Sequence, residues 1–139
     1  MIYCFNASYL HFISSSFLKL IKDEYMAQSN SIVLTTYYGK ETIAFDKILR
    51  IEAISNYSKL YFTDGKTLVV SKVLQWFEEH LIKEQFIRVH RSHLINIVYI
   101  QQYNNKGTQT ITLKDNSFFQ VARRKQAVVK RLLDTAMSA

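Results

Sequence analysis

The chain has 139 residues, 48% of them hydrophobic, and a formal net charge of +7 at pH 7; this is the length of one domain with enough apolar side chains for a core, which excludes a disordered tail. Cys4 is the single cysteine, proline is absent and glycine occurs only at positions 39, 65 and 107. That composition excludes an intramolecular disulfide framework, a zinc site built on several thiolates and a low-complexity linker, and it fits a reducing, cytoplasmic setting.

Residues 1–30 open with MIYCFNASYLHFISSSFLKLIKDEYM, in which Ile13, Phe17, Leu20 and Glu24 mark one helical face. The segment reads as a helix or linker leading into a domain over residues 31–136. Ile2 to Ile21 is about long enough to span a bilayer, but Asn6, His11 and four serines dilute it and no basic stretch precedes it, so a membrane anchor is the weaker reading.

From Ser31 the pattern is β-rich. SIVLTTYYGKETIAF predicts two strands with a turn at Gly39-Lys40, because β-branched and aromatic residues flank the glycine. KILRIEAI alternates as a strand with one strongly apolar face. In KLYFTDGKTLVVS, Asp64-Gly65 between two β-type runs predicts a tight hairpin.

The period then changes. In SKVLQWFEEHLIKE, Leu74, Phe77 and Leu81 recur three and four apart behind Ser71, a candidate N-cap, which predicts a short amphipathic helix. YIQQYNNKGTQTITLKDNSFFQVA, broken by NNKG and KDN, predicts a three-stranded meander. RRKQAVVKRLLDTA predicts a terminal helix packed on the sheet, with Val128, Leu132 and Ala136 on one face beside Val129 and Leu133.

The positive charge is concentrated. Phe86 to Arg131 carries nine Lys and Arg against Asp115 alone, whereas residues 31–85 carry seven of each sign. A surface of that kind attracts polyanions, although many such runs are only solvated faces.

Within the basic third, FIRVHRSHLIN sets His90, Arg91, Ser92 and His93 in a row. Two histidines without a nearby carboxylate fall short of the three or four ligands a zinc ion takes. Ser92 has no orienting third group and no glycine-rich turn, and Glu78-Glu79 reads as a solvated helix face. Nothing here supports an enzyme, a metal or a cofactor. Phe86, Ile87, Val89, Leu94 and Ile95 are core material, and a buried imidazole bonded to backbone would account for either histidine. Arg91 is different, since a guanidinium is almost never buried unpaired and no carboxylate is near in sequence; it faces solvent or an anion. Arg123, Arg124 and Lys125 stand at the predicted start of the terminal helix, where free amides and three cations suit a phosphate.

These pieces, ILRIEAISNYSKLYFTDGKTLVVSKVLQWFEEHL, FIRVHRSHLINIVYI and QVARRKQAVVKRLL, occur in the order found in the LytTR-type DNA-binding domain, which the chain resembles over about Ser31 to Leu133. The resemblance implies a mainly β, elongated antiparallel fold with a short amphipathic helix and a C-terminal helix, which inserts loops into successive major grooves of double-stranded DNA. It implies base contacts from Arg91, Arg123 and the loop Asn56 to Lys59, through Tyr57 or Ser58. Asn56, Lys59, Arg88, Ser92, Arg124 and Lys125 become candidates for phosphate contacts. The physics of the arginines agrees, because an Arg fork fits the O6 and N7 acceptors of guanine. Such domains usually form the output half of a bacterial two-component response regulator. Thirty residues cannot contain a receiver domain, so the resemblance leaves three readings open: a stand-alone regulator, a fragment of a longer one, or a member whose N-terminal segment docks elsewhere. A receiver domain or sensor is an implied partner, with a homodimer if the DNA half-sites repeat. The rival reading is a membrane-associated or protein-interaction module with a basic surface.

Overall fold

The computed structural model describes residues 30–81, 83 and 85–138. The helix or linker expected over residues 1–30, and the weighed membrane anchor, lie outside them apart from Asn30. Among the described residues no helix is long and apolar enough to cross a membrane.

Among the described residues, ten strands and two α-helices follow one another. β1 (Ser31–Thr36) and β2 (Gly39–Ala44) pair as a hairpin. β3 (Ile48–Ile54), β4 (Tyr57–Phe62) and β5 (Thr67–Val70) precede helix α1 (Leu74–His80). Then come β6 (Phe86–His90) and β7 (His93–Asn96), the meander β8 (Ile100–Asn104), β9 (Thr110–Leu113) and β10 (Phe118–Gln120), and helix α2 (Gln126–Ser138). The central antiparallel sheet has the order β5-β4-β3-β7-β6, and the meander forms a separate sheet ordered β10-β9-β8. The mainly β, antiparallel fold with a short helix and a C-terminal helix is therefore the one expected.

The central sheet is covered on both faces, which is why its strands alternate between two cores rather than between core and solvent. On one side Ile48, Ile51, Leu60, Val70, Phe86 and Leu94 pack with β1–β2 and with Leu74, Phe77 and Leu81 of the α1 region. On the other, Leu49, Ile87, Val89 and Ile95 meet Tyr103, Ile111, Leu113 and Phe119 of the meander and Val129 and Leu133 of α2. Adjacent Ile48 and Leu49 face opposite cores by strand alternation, and the bulge after Ile48 puts Ile51 on the same side as Ile48, so β3 has two apolar faces where one was expected. Asn96 is fully buried and its amide donates to Ile48 O at 2.9 Å while its Oδ1 accepts from Val98 N at 3.1 Å.

Several local details differ from the sequence expectation. The first turn lies at Tyr37-Tyr38, and Gly39, with φ of 119°, begins β2. Helix α1 is capped by Val73 with no side-chain bond, so Ser71 does not cap it; the chain is still leaving β5 at that point. Helix α2 begins at Gln126, because Arg123–Lys125 form a preceding 3-10 turn. Its buried face is Val129 and Leu133, while Val128 and Leu132 are 42% and 41% exposed.

Candidate nucleic-acid interface

Strand pairing gathers the basic segments at one end of the central sheet. β3 runs antiparallel to β7, so the turn that ends β3 lies beside the turn that begins β7. A backbone bond from Ala53 N to Ser92 O, 2.9 Å, ties the two turns together. Pairing of Ser58 with Val70 carries Ser71 and Lys72 to the same end. Finally Ala122 N donates to Val89 O at 2.9 Å, which sets the Arg123–Lys125 turn beside the end of β6.

The first turn is only two residues, Ser55-Asn56, between the paired Ile54 and Tyr57. Ser55 takes a φ of 55°, the left-handed region that a tight hairpin needs and that costs a non-glycine residue about 1 kcal/mol. The reading loop expected over Asn56 to Lys59 is thus a turn plus the first residues of β4. Strand alternation then separates its members. Asn56 is exposed, Tyr57 is 51% exposed, and Lys59 is half-buried with its ammonium 5.1 Å from the Tyr61 ring centroid. Ser58 points to the opposite face, is fully buried, and donates its hydroxyl to Lys72 O at 2.6 Å. With its hydroxyl enclosed and committed, Ser58 presents no atom to a base; it fastens the segment after β5.

The second turn is Arg91-Ser92, which closes the β6–β7 hairpin. Arg91 is exposed and Ser92 half-buried, its amide donating to His90 Nδ1 at 3.1 Å. That bond requires Nδ1 of His90 to be an acceptor, so the ring carries its proton on Nε2. Arg88 does not face outward as a phosphate contact would. Its Nε donates to His90 O at 3.1 Å, its Nη2 to Arg91 O at 2.5 Å and its Nη1 to Glu78 Oε1 at 3.4 Å. Arg123 and Arg124 are exposed and Lys125 half-buried on the third segment. His90, His93, Phe119, Arg123 and Gln126 line an open cleft between the second turn and this third segment.

The His90 and His93 rings sit 5.6 Å apart. Among the described residues no three His, Cys, Asp or Glu side chains converge as a metal site would require.

Behind the turns, on the meander side of the sheet, lies a polar cluster that the sequence did not signal. Glu52 Oε2 accepts from Arg50 Nη1 at 3.3 Å and from Tyr61 OH at 3.0 Å, and the Arg50 guanidinium covers the Tyr61 ring at 3.6 Å. Burial pushes the Glu52 carboxyl up, but the Tyr61 hydroxyl, the bond and charge of Arg50 and the charge of His93 outweigh it and hold the carboxyl below its ordinary value. Burial lowers the His93 imidazole below its ordinary value, only partly countered by the Glu52 carboxylate, and the Arg50 guanidinium lowers it further. His93 Nδ1 is buried without a hydrogen-bond partner.

Lys72 is the cation that sequence reasoning missed at this end. It is exposed, its ammonium lies 5.0 Å from the Trp76 ring centroid, and its backbone is held by Ser58. The signal was present in the register: once the Asp64-Gly65 hairpin is extended strand against strand, residues 71–72 fall opposite the Ser55-Asn56 turn.

The LytTr DNA-binding domain family matches the chain over residues 39–134, more than half of its length. Among the solved structures that match is the LytTr DNA-binding domain of a Bacillus cereus protein described as a methyl-accepting/DNA response regulator. It is 24% identical, superposes with a TM-score of 0.65, and the match covers 75% of this chain and 96% of that one, which is a likeness of fold. No curated protein matches the chain.

Proposed function

The chain belongs to the LytTr DNA-binding domain family and is a DNA-binding transcription regulator; on that premise we propose that it reads the major groove of double-stranded DNA through the turns at one end of its central sheet. One observation carries this reading: strand pairing brings Asn56 and Tyr57, Arg91 and Ser92, and Arg123 to Lys125, segments up to 69 positions apart in numbering, to the same sheet end. Arg91 and Arg123 are the base-reading side chains, each exposed on a turn and each able to present a fork to guanine worth about 1–3 kcal/mol of discrimination. Tyr57 offers an exposed ring and hydroxyl beside them. Asn56, Lys59, Ser92, Arg124, Lys125 and the added Lys72 supply phosphate contacts, which fix register and give affinity without reading sequence. Residues 31–136 act as the DNA-binding unit and residues 1–30 as the segment leading into it.

Arg123→Ala and Lys125→Ala separate the two roles. Binding is measured on a duplex selected from a random-sequence pool by the unaltered protein and on a scrambled duplex, across a range of salt. Arg123→Ala is expected to weaken selected DNA by about 1–3 kcal/mol and leave scrambled DNA nearly unchanged. Lys125→Ala is expected to weaken both alike and to reduce the salt slope by about 1. Equal losses on the two duplexes for Arg123→Ala would remove it from the reading set.

A further inference from the structure

We propose that Arg88 is the positioning residue of the Arg91-Ser92 turn and that its contact with Glu78 couples that turn to helix α1. The inference rests on Arg91 being a base-reading residue, and it gives Arg88 a role other than a phosphate contact.

A two-residue turn leaves the carbonyl at its apex outside the strand ladder, and the plane of the peptide that follows Arg91 sets the direction in which the Arg91 side chain leaves the backbone. In this hairpin the Arg91 carbonyl is held by Arg88 Nη2 at 2.5 Å, and the His90 carbonyl before it by Arg88 Nε at 3.1 Å. One guanidinium thus spans two successive carbonyls. Its planar, fixed donors suit that task, and a single-point ammonium cannot duplicate it. The remaining partner lies on another element: Nη1 meets Glu78 Oε1 at 3.4 Å, on the exposed edge of α1. The Arg88 side chain is 18% exposed, and its bond to the His90 carbonyl is partly buried, whereas its bond to the Arg91 carbonyl lies at the surface where the turn emerges.

The coupling has a rigid base. Phe77, next to Glu78, is fully buried with Leu74 and Leu81 in the core that also holds Phe86, two residues before Arg88. Helix α1 therefore cannot shift Glu78 without disturbing that core, and the Arg88 head group has a fixed anchor at each end. The register irregularity between Arg88 and His90 falls within the clamped stretch. A bulge of this kind re-aims the side chains beyond it, here the reading turn.

The test uses the full chain, a fluorescent duplex selected from a random pool by the unaltered protein and a scrambled duplex of equal length, with Arg88→Lys, Glu78→Gln and Arg91→Ala compared. Lysine keeps the charge and would serve a phosphate as well as arginine does. Arg88→Lys is expected to lower affinity for the selected duplex about tenfold, to spare the scrambled duplex and to leave the salt slope unaltered. Glu78→Gln should give the same pattern at a few-fold loss. Wild-type binding by Arg88→Lys, a parallel loss on both duplexes, or a salt slope reduced by about 0.9 would each overturn the clamp. If Arg91→Ala weakens selected binding while Arg88→Lys does not, only the clamp fails. If Arg91→Ala is silent, the reading role of the turn fails, and the clamp with it.

Discussion

The two ends of the central sheet are built from tight turns, yet they are held in different ways. At the far end, the β4–β5 hairpin is closed mainly by its own groups: Asp64 Oδ1 accepts from Lys66 N at 2.9 Å, Phe62 N donates to Lys66 O at 2.9 Å, and Gly65 supplies a φ of 88°, with one backbone bond from Thr63 N to Lys47 O at 3.0 Å joining it to the rest of the chain. At the basic end each turn is fastened from elsewhere in the chain. Ser58 bonds across 14 positions to Lys72, Ala53 reaches Ser92, and Arg88 joins the second turn to α1. A turn closed mainly by its own groups can tolerate exposure and sequence change around it. The turns proposed to meet DNA have their exposed side chains free because residues behind them do the holding.

The largest expected effect tests the base of that support. Phe77→Ala removes a fully buried ring under α1 and should cost about 3–5 kcal/mol of stability, read as a shift of the denaturation midpoint. A cost below about 1 kcal/mol would show that α1 is not an anchor.

A matched pair then sets the two ends against each other. Gly65→Ala forces a β-carbon onto a left-handed residue and should destabilise by about 1 kcal/mol while leaving DNA affinity unchanged. Ser58→Ala removes the bond to Lys72 at a similar cost of about 1 kcal/mol, but it should also weaken DNA binding. Equal binding by the two variants would erase the distinction between the ends.

The smallest effect concerns acid. His93 and Glu52, behind the basic end, both titrate below their ordinary values of 6.5 and 4.5 when folded. The unfolded chain therefore binds these protons first, and stability rises with pH through each window. The contribution of His93 is fully present above pH 6.5 and that of Glu52 above pH 4.5, and each is lost as the pH falls through the folded value. Thermal midpoints measured from pH 7 to 4 should fall progressively, and Glu52→Gln should flatten the lower part of that fall. A midpoint that rises on acidification would contradict the arrangement.

Periodicity and turn chemistry act over a few residues, and what they govern was legible in the sequence. Gly65 marks its hairpin because only a residue free of steric restriction takes that φ cheaply, and Leu74, Phe77 and Leu81 mark a helix because they fall on one face. The basic third of the chain and the exposure of Arg91 and Arg123 were also readable, since charge without local partners stays on the surface. The direction of each remaining side chain was not. Ser58 and Arg88 are polar and lie within the motif, which suggested contacts with DNA; one is turned inward by strand alternation and the other is taken up by two carbonyls and a helix carboxylate. Ser71 resembled a cap, but β5 ends only at Val70 and the helix begins at Leu74, so Val73 takes the cap position. The sequence by itself determined the elements, the basic third and the family pattern. Only the tertiary structure decided which polar residues face outward, because that depends on register and on hydrogen bonds between residues far apart in the chain.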